Sequence, residues 1–163
     1  MHYPHRPPPQ PGYLMQKIIV FEKRVIPEHC AELCLSDCSL TAIRSICAAG
    51  AAAAGVCAGQ LQLSIPVSVC ACDACGRCCT LHETISVQTA LPSGCLHHPE
   101  DARTTLLVLP CVRLLRWDCT GSGCFRVHVH ILLEIYLLRY ETLGCTPCKP
   151  ACPSLPLYPP PIC

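Results

Sequence analysis

The chain carries its clearest structural pattern in residues 61–89, LQLSIPVSVCACDACGRCCTLHETISVQT. Apolar and polar side chains alternate from Leu61 to Cys70 and again over residues 83–89, which predicts two β-strands that each bury one face. The segment between them, CACDACGRCC, places five cysteines within ten residues. We therefore predict a β-hairpin with a thiol-rich tip. Pro66 lacks an N–H donor and predicts an edge position or a bulge in the first strand.

A second hairpin is predicted closer to the C-terminus. Residues 104–109 and 111–119 have strand character, and the loop CTGSGC after them contains two glycines suited to a tight turn. The alternation then continues over residues 125–137, for which a helix over residues 131–141 is the competing interpretation. Because Cys119 and Cys124 flank the loop, an antiparallel ladder would bring their Cβ atoms together. We predict a disulfide between them.

Two helices are expected before the first hairpin, after a strand over residues 17–26. Pro27 suits the first turn of a helix, and three cysteines follow at intervals of four residues, which on a helix form one stripe: Cys30, Cys34 and Cys38. Thr41 can cap a second helix, one side of which would carry Ile43, Ile46 and Cys47. The predicted fold class is therefore α+β, with two N-terminal helices on an antiparallel, meander-like sheet or sandwich.

The expected domain organisation is a single domain with two proline-rich extensions. Residues 1–12 form a proline-rich N-terminal tail, residues 13–144 a cysteine-rich α+β domain, and residues 145–163 a C-terminal arm rich in proline and cysteine. The alternating faces of the strands predict the core residues, which are Leu63, Ile65, Val67, Ile85, Val87, Leu106, Val108, Val127, Val129 and Ile131.

The composition argues against a partner that is bound mainly through its negative charge. The formal net charge is +1 and charged residues make up 14% of the chain, so we expect binding neither to nucleic acid nor to an anionic membrane. No apolar stretch is free enough of polar residues, glycine and proline to cross a bilayer. Aromatic residues reach only 5%, which predicts a thin core that cross-links or metal ions would have to reinforce.

The 18 cysteines are the main chemical feature of the chain. Their number is even and their density is typical of disulfide scaffolds in secreted proteins. The N-terminal residues MHYPHRPPPQPGY contain no apolar segment of a signal peptide. We therefore expect synthesis in the reducing cytoplasm, followed by oxidation after deposition on a spore or cell surface.

Metal binding is the alternative use of these thiols. The spacing of Cys72, Cys75 and Cys78 resembles the cluster loop of bacterial ferredoxins, which implies an iron–sulfur cluster. The C-terminal arm adds similar spacing in Cys145, Cys148, Cys152 and Pro153, although this chain has His82 and Thr142 where that family has cysteines. Zinc suits the residues better, since one short segment offers four soft ligands: Cys72, Cys75, Cys78 and His82.

Other histidines and cysteines give no comparable signal for a site. His128 and His130 share one face of a predicted strand, a spacing that can chelate a metal, but we interpret them as the wet face of a half-buried strand. Chance pairs of cysteine and histidine are inevitable with 18 cysteines and eight histidines. No constellation of acid, base or phosphate-binding residues points to an enzyme.

The dispersed cysteines and the extended arms favour a structural role. In composition and layout the chain is similar to cysteine-rich coat proteins of bacterial spores, a resemblance that implies a shell or coat component and transfers no site residue. We therefore predict a non-enzymatic protein without a resident cofactor that associates with itself. Cys152 and Cys163 are the predicted links between chains, because the proline-rich arm can carry them beyond their own domain.

Overall fold

The computed structural model describes residues 13–92 and 104–143. These residues contain strands and no helix, and hence none that is long and apolar enough to cross a membrane. The predicted proline-rich tail and arm lie outside the described residues. The strands are β1 (Tyr13–Cys34), β2 (Leu40–Ala48), β3 (Ala53–Cys57), β4 (Gln60–Asp73), β5 (Cys78–Ala90), β6 (Thr104–Gly121) and β7 (Cys124–Leu143).

The strands form two antiparallel sheets that share one hydrophobic core. The first sheet has the order β1–β7–β6. In the second, β4 is central and pairs with β5 along one edge, while β2 and β3 pair in succession along its other edge. The inner faces of both sheets contribute to a single buried cluster, so the described chain is a β-sandwich.

The predicted α+β fold is wrong, because both expected helices are strands. The segment of the first helix belongs to β1, an edge strand, where Pro27 is tolerated because its missing N–H leaves no partner unsatisfied. A repeat of four residues does not separate the two structures, since four is close to one helical turn and is also an even number of strand positions. Cys30 and Cys34 accordingly lie on one exposed face of β1.

The segment of the second helix forms β2 and shows how a bulge can imitate helical spacing. Ile43 and Ile46 are both buried although they lie three residues apart. The register against β4 shifts between Ile43 and Ser45, and the extra residue turns both isoleucines to the same side. A spacing of three therefore indicated a helix where the chain has an irregular strand.

Both predicted hairpins are present. The first consists of β4 and β5, with Gly76 in the turn, and the second consists of β6 and β7, with Gly123 in the turn. β6 continues through Pro110 as one edge strand. Nine of the ten predicted core residues are buried, and Leu106 is partly buried against the same cluster.

Pro66 lies in the central strand β4 rather than at an edge of the sheet. Its carbonyl oxygen accepts a hydrogen bond from the backbone N–H of Ala49 at 2.8 Å, at the point where β2 has ended and β3 has not begun. The N and O atoms of one residue in an antiparallel strand point to the same neighbour. The missing N–H therefore faces this interruption between β2 and β3, where no ladder partner requires it.

Candidate functional site

Two disulfides are the first chemical feature of the described chain. Cys72 and Cys78 are direct partners in the β4–β5 ladder, and their bond closes the thiol-rich tip with a Cα–Cα distance of 4.0 Å. Cys34 and Cys124 are direct partners in the β1–β7 ladder, with a Cα–Cα distance of 4.1 Å. The protein is thus cysteine-rich and disulfide-bonded, as expected from its composition.

The second disulfide replaces the predicted bond between Cys119 and Cys124. A register shift near the end of β6 places Cys119 opposite Phe125 and Gly121 opposite Cys124. The sulfur atom of Cys124 is instead bonded to that of Cys34 in β1. Cys119 keeps a free thiol, which donates a hydrogen bond to the carbonyl oxygen of Gly121 at 3.2 Å.

The four predicted metal ligands are not assembled as a metal site. Cys72 and Cys78 are joined to each other, Cys75 lies in the turn, and Nδ1 of His82 lies 3.3 Å from Oγ of Ser68. Among the described residues, no group of three or more histidines, cysteines, aspartates or glutamates is placed to hold a metal ion. The ferredoxin-like arm, from residue 145 onward, lies outside the described part of the chain.

The remaining described cysteines carry free thiols at the surface. Only Cys70 is partly buried, and the others are exposed. They occupy both sheets, a turn and the connection after β1, and they are Cys30, Cys38, Cys47, Cys57, Cys70, Cys75, Cys79, Cys111 and Cys119. The predicted links between chains, Cys152 and Cys163, lie outside the described residues.

The outer face of the β1–β7–β6 sheet, which is turned away from the core, carries apolar side chains at one end. An ion pair between Lys23 and Glu134, at 3.0 Å, crosses this surface in the ladder row between Phe21 and Val25. Phe21 is 48% exposed, Val25 53% and Leu109 39%. The free thiol of Cys111 belongs to the same surface, in one ladder row with Leu132 and Val25. We call these residues, Phe21, Val25, Leu109, Cys111 and Leu132, the apolar end.

A polar cluster occupies the same outer face farther along the strands. Nδ1 of His128 lies 2.7 Å from Oε1 of Glu28, and Nε2 of the same ring lies 4.0 Å from Sγ of Cys30. Nη2 of Arg116 lies 2.7 Å from the same Glu28 oxygen. His128 is the central member, with a side chain only 14% exposed. We call Glu28, Cys30, Arg116 and His128 the histidine cluster.

Two bulges bring the histidine cluster together. In β1, Pro27 and Glu28 together oppose His130, and the exposed side of the strand changes there from odd-numbered to even-numbered residues. In β6, the extra residue Leu115 has the same effect on Arg116. Without these insertions, Glu28, Cys30 and Arg116 would point towards the core.

Sequence reasoning missed this cluster. It correctly placed His128 on a wet strand face, but it assigned Glu28 and Cys30 to a helix and gave Arg116 no role. The available signal was Pro27 inside an otherwise strand-like stretch, because a proline in a strand marks an edge or a bulge. Pairing Cys30 with His128 across 98 residues required the register of β1 against β7.

No protein-family model matches the chain, and neither a curated protein nor a solved structure shows significant similarity to it. Its function therefore has to follow from the residues and the geometry described above.

Proposed function

We propose that the protein is a non-enzymatic structural component that associates with itself and is cross-linked by disulfides into a coat-like or shell-like assembly. Two observations support a covalently reinforced structural role. The fold already contains two disulfides, and the free thiols of the described residues lie at its surface. Surface thiols on a stable sandwich can form bonds between molecules without unfolding either one.

The apolar end is the observation that carries the proposal. Exposed apolar patches on soluble proteins commonly mark contact surfaces. Here Phe21 packs against Tyr136 with 4.9 Å between ring centroids, which holds an aromatic surface in place while leaving it exposed. The patch also contains a free cysteine, so non-covalent contact and covalent linkage would occur at one place.

A two-fold symmetric dimer would combine the non-covalent contact and the covalent link. If two copies pack their apolar ends together, Phe21 and Val25 of each copy lose exposed area, and Cys111 of one copy can approach Cys111 of the other. Oxidation of this pair joins the two sulfur atoms and releases two protons and two electrons to an external oxidant. Cys152 and Cys163 would extend such dimers into larger assemblies.

The test measures the size of the native protein after free thiols are trapped with N-ethylmaleimide at lysis. We expect high-mass species without reductant that collapse to the 17.7 kDa chain when reductant is added. A monomer in both conditions, with either free thiols or internal disulfides alone, would refute cross-linking between chains.

A matched pair of variants locates the contact. Cys111→Ser should remove the smallest covalent dimer, whereas Cys47→Ser should leave it, because Cys47 is an equally free and exposed thiol on the other sheet. Phe21→Ser combined with Val25→Ser should weaken the dimer under reducing conditions too. Equal loss in the Cys111 and Cys47 variants would show that the apolar end is not the contact surface.

A further inference from the structure

We propose that Cys30 is the nucleophile of a thiol–disulfide exchange site, with His128 as its proton acceptor and Glu28 as the residue that orients His128. The substrate class is an accessible disulfide, and a low-molecular-weight disulfide is sufficient. The inference does not depend on self-association, since every residue of the site belongs to one chain.

Two contacts at Nδ1 of His128 bear on the form of the histidine ring. An ionised carboxylate can only accept hydrogen bonds, so the 2.7 Å contact with Glu28 favours a proton on Nδ1, whereas Nη2 of Arg116, which can only donate, lies at the longer distance of 3.4 Å. Nε2 then presents a lone pair on the side of the ring that faces Cys30. This is the general arrangement of a nucleophile, a base and an orienting group. The 4.0 Å separation is long for a hydrogen bond, as is common in unoccupied sites.

Two arginines of the same sheet lie near the site, and each is paired with a carboxylate of β1. Arg116 on β6 contacts Glu28, and Arg126 on β7 contacts Glu32 at 3.1 Å, two ladder rows beyond Cys30. The pKa of Arg126 is raised, first by its hydrogen bond to Glu32, then by the charge of Glu32, and next by the charge of Cys30.

The carboxylates near the thiol have cationic neighbours. Glu28 is shared between Arg116 and His128, and Glu32 is bound to Arg126. Asp118 on β6 lies opposite Arg126 in the ladder.

The backbone irregularities support a site rather than a chance contact. Bulges are enriched next to active sites, where they redirect side chains. Here one bulge lies in β1 and another in β6, the two edge strands on either side of β7. The extra residues belong to these edge strands, and β7 itself is regular at His128. Regular ladders would bury Cys30 and Arg116 instead.

The proposed exchange is balanced in atoms and electrons. Cys30 transfers its thiol proton to Nε2 of His128, and the thiolate attacks one sulfur of the disulfide R–S–S–R. A Cys30–S–S–R bond forms as the S–S bond of the substrate breaks, and the leaving R–S⁻ takes the proton from His128. No external oxidant is needed, because one disulfide is consumed and one is formed. A second thiol can then release Cys30 by the same reaction.

The test measures each cysteine separately in the native, full-length monomer. The protein is pulsed with oxidised glutathione at pH 7 and quenched with N-ethylmaleimide, and peptide mass spectrometry gives the rate of mixed-disulfide formation. We expect Cys30 to react at least about tenfold faster than Cys57, since positioned proton transfer commonly accelerates reactions by more than that. Cys57 is the matched reference, because it is free and exposed and lies opposite Gln60 in its ladder.

Two substitutions distinguish activation from simple exposure. His128→Gln should lower the Cys30 rate to that of Cys57, while Glu28→Gln, which keeps a hydrogen-bond acceptor and removes the charge, should give an intermediate rate. The Cys57 rate should stay unchanged in both variants, which reports that the fold is intact. If either variant unfolds, the other decides. Equal rates for Cys30 and Cys57 in the native protein, or an unchanged Cys30 rate in a folded variant, would overturn the proposal.

This experiment is independent of the assembly test. A protein that never forms covalent dimers can still show a fast Cys30, and a protein that forms them through Cys111 can show a slow one. Failure of one proposal therefore leaves the other standing.

Discussion

The two hairpin tips of the sandwich look alike in sequence but are held in place differently. The β4–β5 tip, residues 70–79, is closed by its own disulfide, which joins residues six apart in sequence. The β6–β7 tip, residues 121–124, is bonded covalently to the end of β1, 90 residues away in sequence. Both contain a turn glycine with a positive φ angle and an adjacent cysteine.

The β4–β5 tip is stabilised by residues within it. The carboxylate of Asp73 accepts hydrogen bonds from the backbone N–H groups of Cys75 and Arg77, both at 2.9 Å, and its second oxygen accepts one from Nε of Arg77 at 2.8 Å. The space beside Gly76 is open. These interactions within the turn span a few residues, although the tip also pairs with β2, where Leu40 lies opposite Asp73.

The β6–β7 tip is stabilised from outside by the connection between β1 and β2. The carbonyl oxygen of Gly123 accepts a hydrogen bond from the N–H of Leu35 at 2.8 Å. A Cβ atom at Gly123 would lie 3.0 Å from the carbonyl oxygen of Asp37 and 3.1 Å from Cα of Cys38. The backbone of another segment therefore packs directly on this turn.

The largest effect should come from the two disulfides, each removed by a pair of alanine substitutions. Loss of Cys34–Cys124, with a sequence separation of 90, should lower the free energy of unfolding by about 4–5 kcal/mol, and loss of Cys72–Cys78, with a separation of 6, by about 2 kcal/mol. The longer cross-link removes more entropy from the unfolded chain. Denaturant titration without reductant measures both values, and a larger loss for Cys72–Cys78 would contradict this ranking.

The next largest effect on the free energy of unfolding should come from substituting the two turn glycines. Gly76→Ala should cost about 1 kcal/mol, the ordinary penalty for a side chain at positive φ in open space. Gly123→Ala should cost about 3 kcal/mol, because its Cβ atom would also displace the backbone of residues 35–38. Thermal unfolding of both variants tests the difference. Equal costs would mean that the connection moves aside freely.

The smallest effect should appear in acid, at the β4–β5 tip. The pKa of Asp73 is lowered from 3.8, chiefly by the hydrogen bond from the N–H of Arg77 and further by the Arg77 side chain and the N–H of Cys75, against opposing desolvation. A lowered pKa in the folded state gives stability that is present above pH 3.8 and is lost as pH falls through the folded pKa. Asp73→Asn should remove this part of the acid dependence.

NMR titration of the Asp73 carboxyl group separates the causes. In Arg77→Ala the midpoint should rise but stay below 3.8, because the backbone N–H at residue 77 remains. Asp37 is the reference, since its lowered pKa comes mainly from hydrogen bonds with Ser39 and only to a smaller extent from the charges of Asp73 and Arg77, so its midpoint should move less than that of Asp73 in the Arg77 variant. A midpoint of 3.8 for Asp73 in the Arg77 variant would show that the ion pair, rather than the backbone, lowers its pKa.

The same contrast explains which predictions from the sequence succeeded. The β4–β5 hairpin and its inward face followed from alternation over residues 61–89, and the strand after CTGSGC followed from alternation over residues 125–137. Both patterns are local and nearly regular. The helix predicted around Ile43 was wrong because a bulge changes the spacing of buried residues there, and the helix predicted around Cys30 was wrong because a repeat of four residues also fits a strand.

For the candidate sites too, local sequence revealed some features and the register of the ladders decided the others. The tip cysteines could be recognised as chemically important, but their bonding could not, since Cys72 has four cysteine neighbours within its own tip and Cys124 has a sequence neighbour in Cys119. The ladder register decided both pairs. The histidine cluster required register on two sides of β7, and nothing close to His128 in sequence identifies Cys30 or Arg116 as its neighbours.

The sequence by itself determined the composition of the core, the two hairpins and the abundance of thiols, because alternation and turn residues act over a few positions. Only the tertiary structure decided that the two segments predicted as helices are strands, that Cys34 is bonded to Cys124, and that Glu28, Cys30, Arg116 and His128 share one face. Those outcomes depend on the register of β7 against its two neighbours, β1 and β6, and on where a single extra residue enters each ladder. A bulge of one residue reverses the direction of every side chain that follows it in the strand.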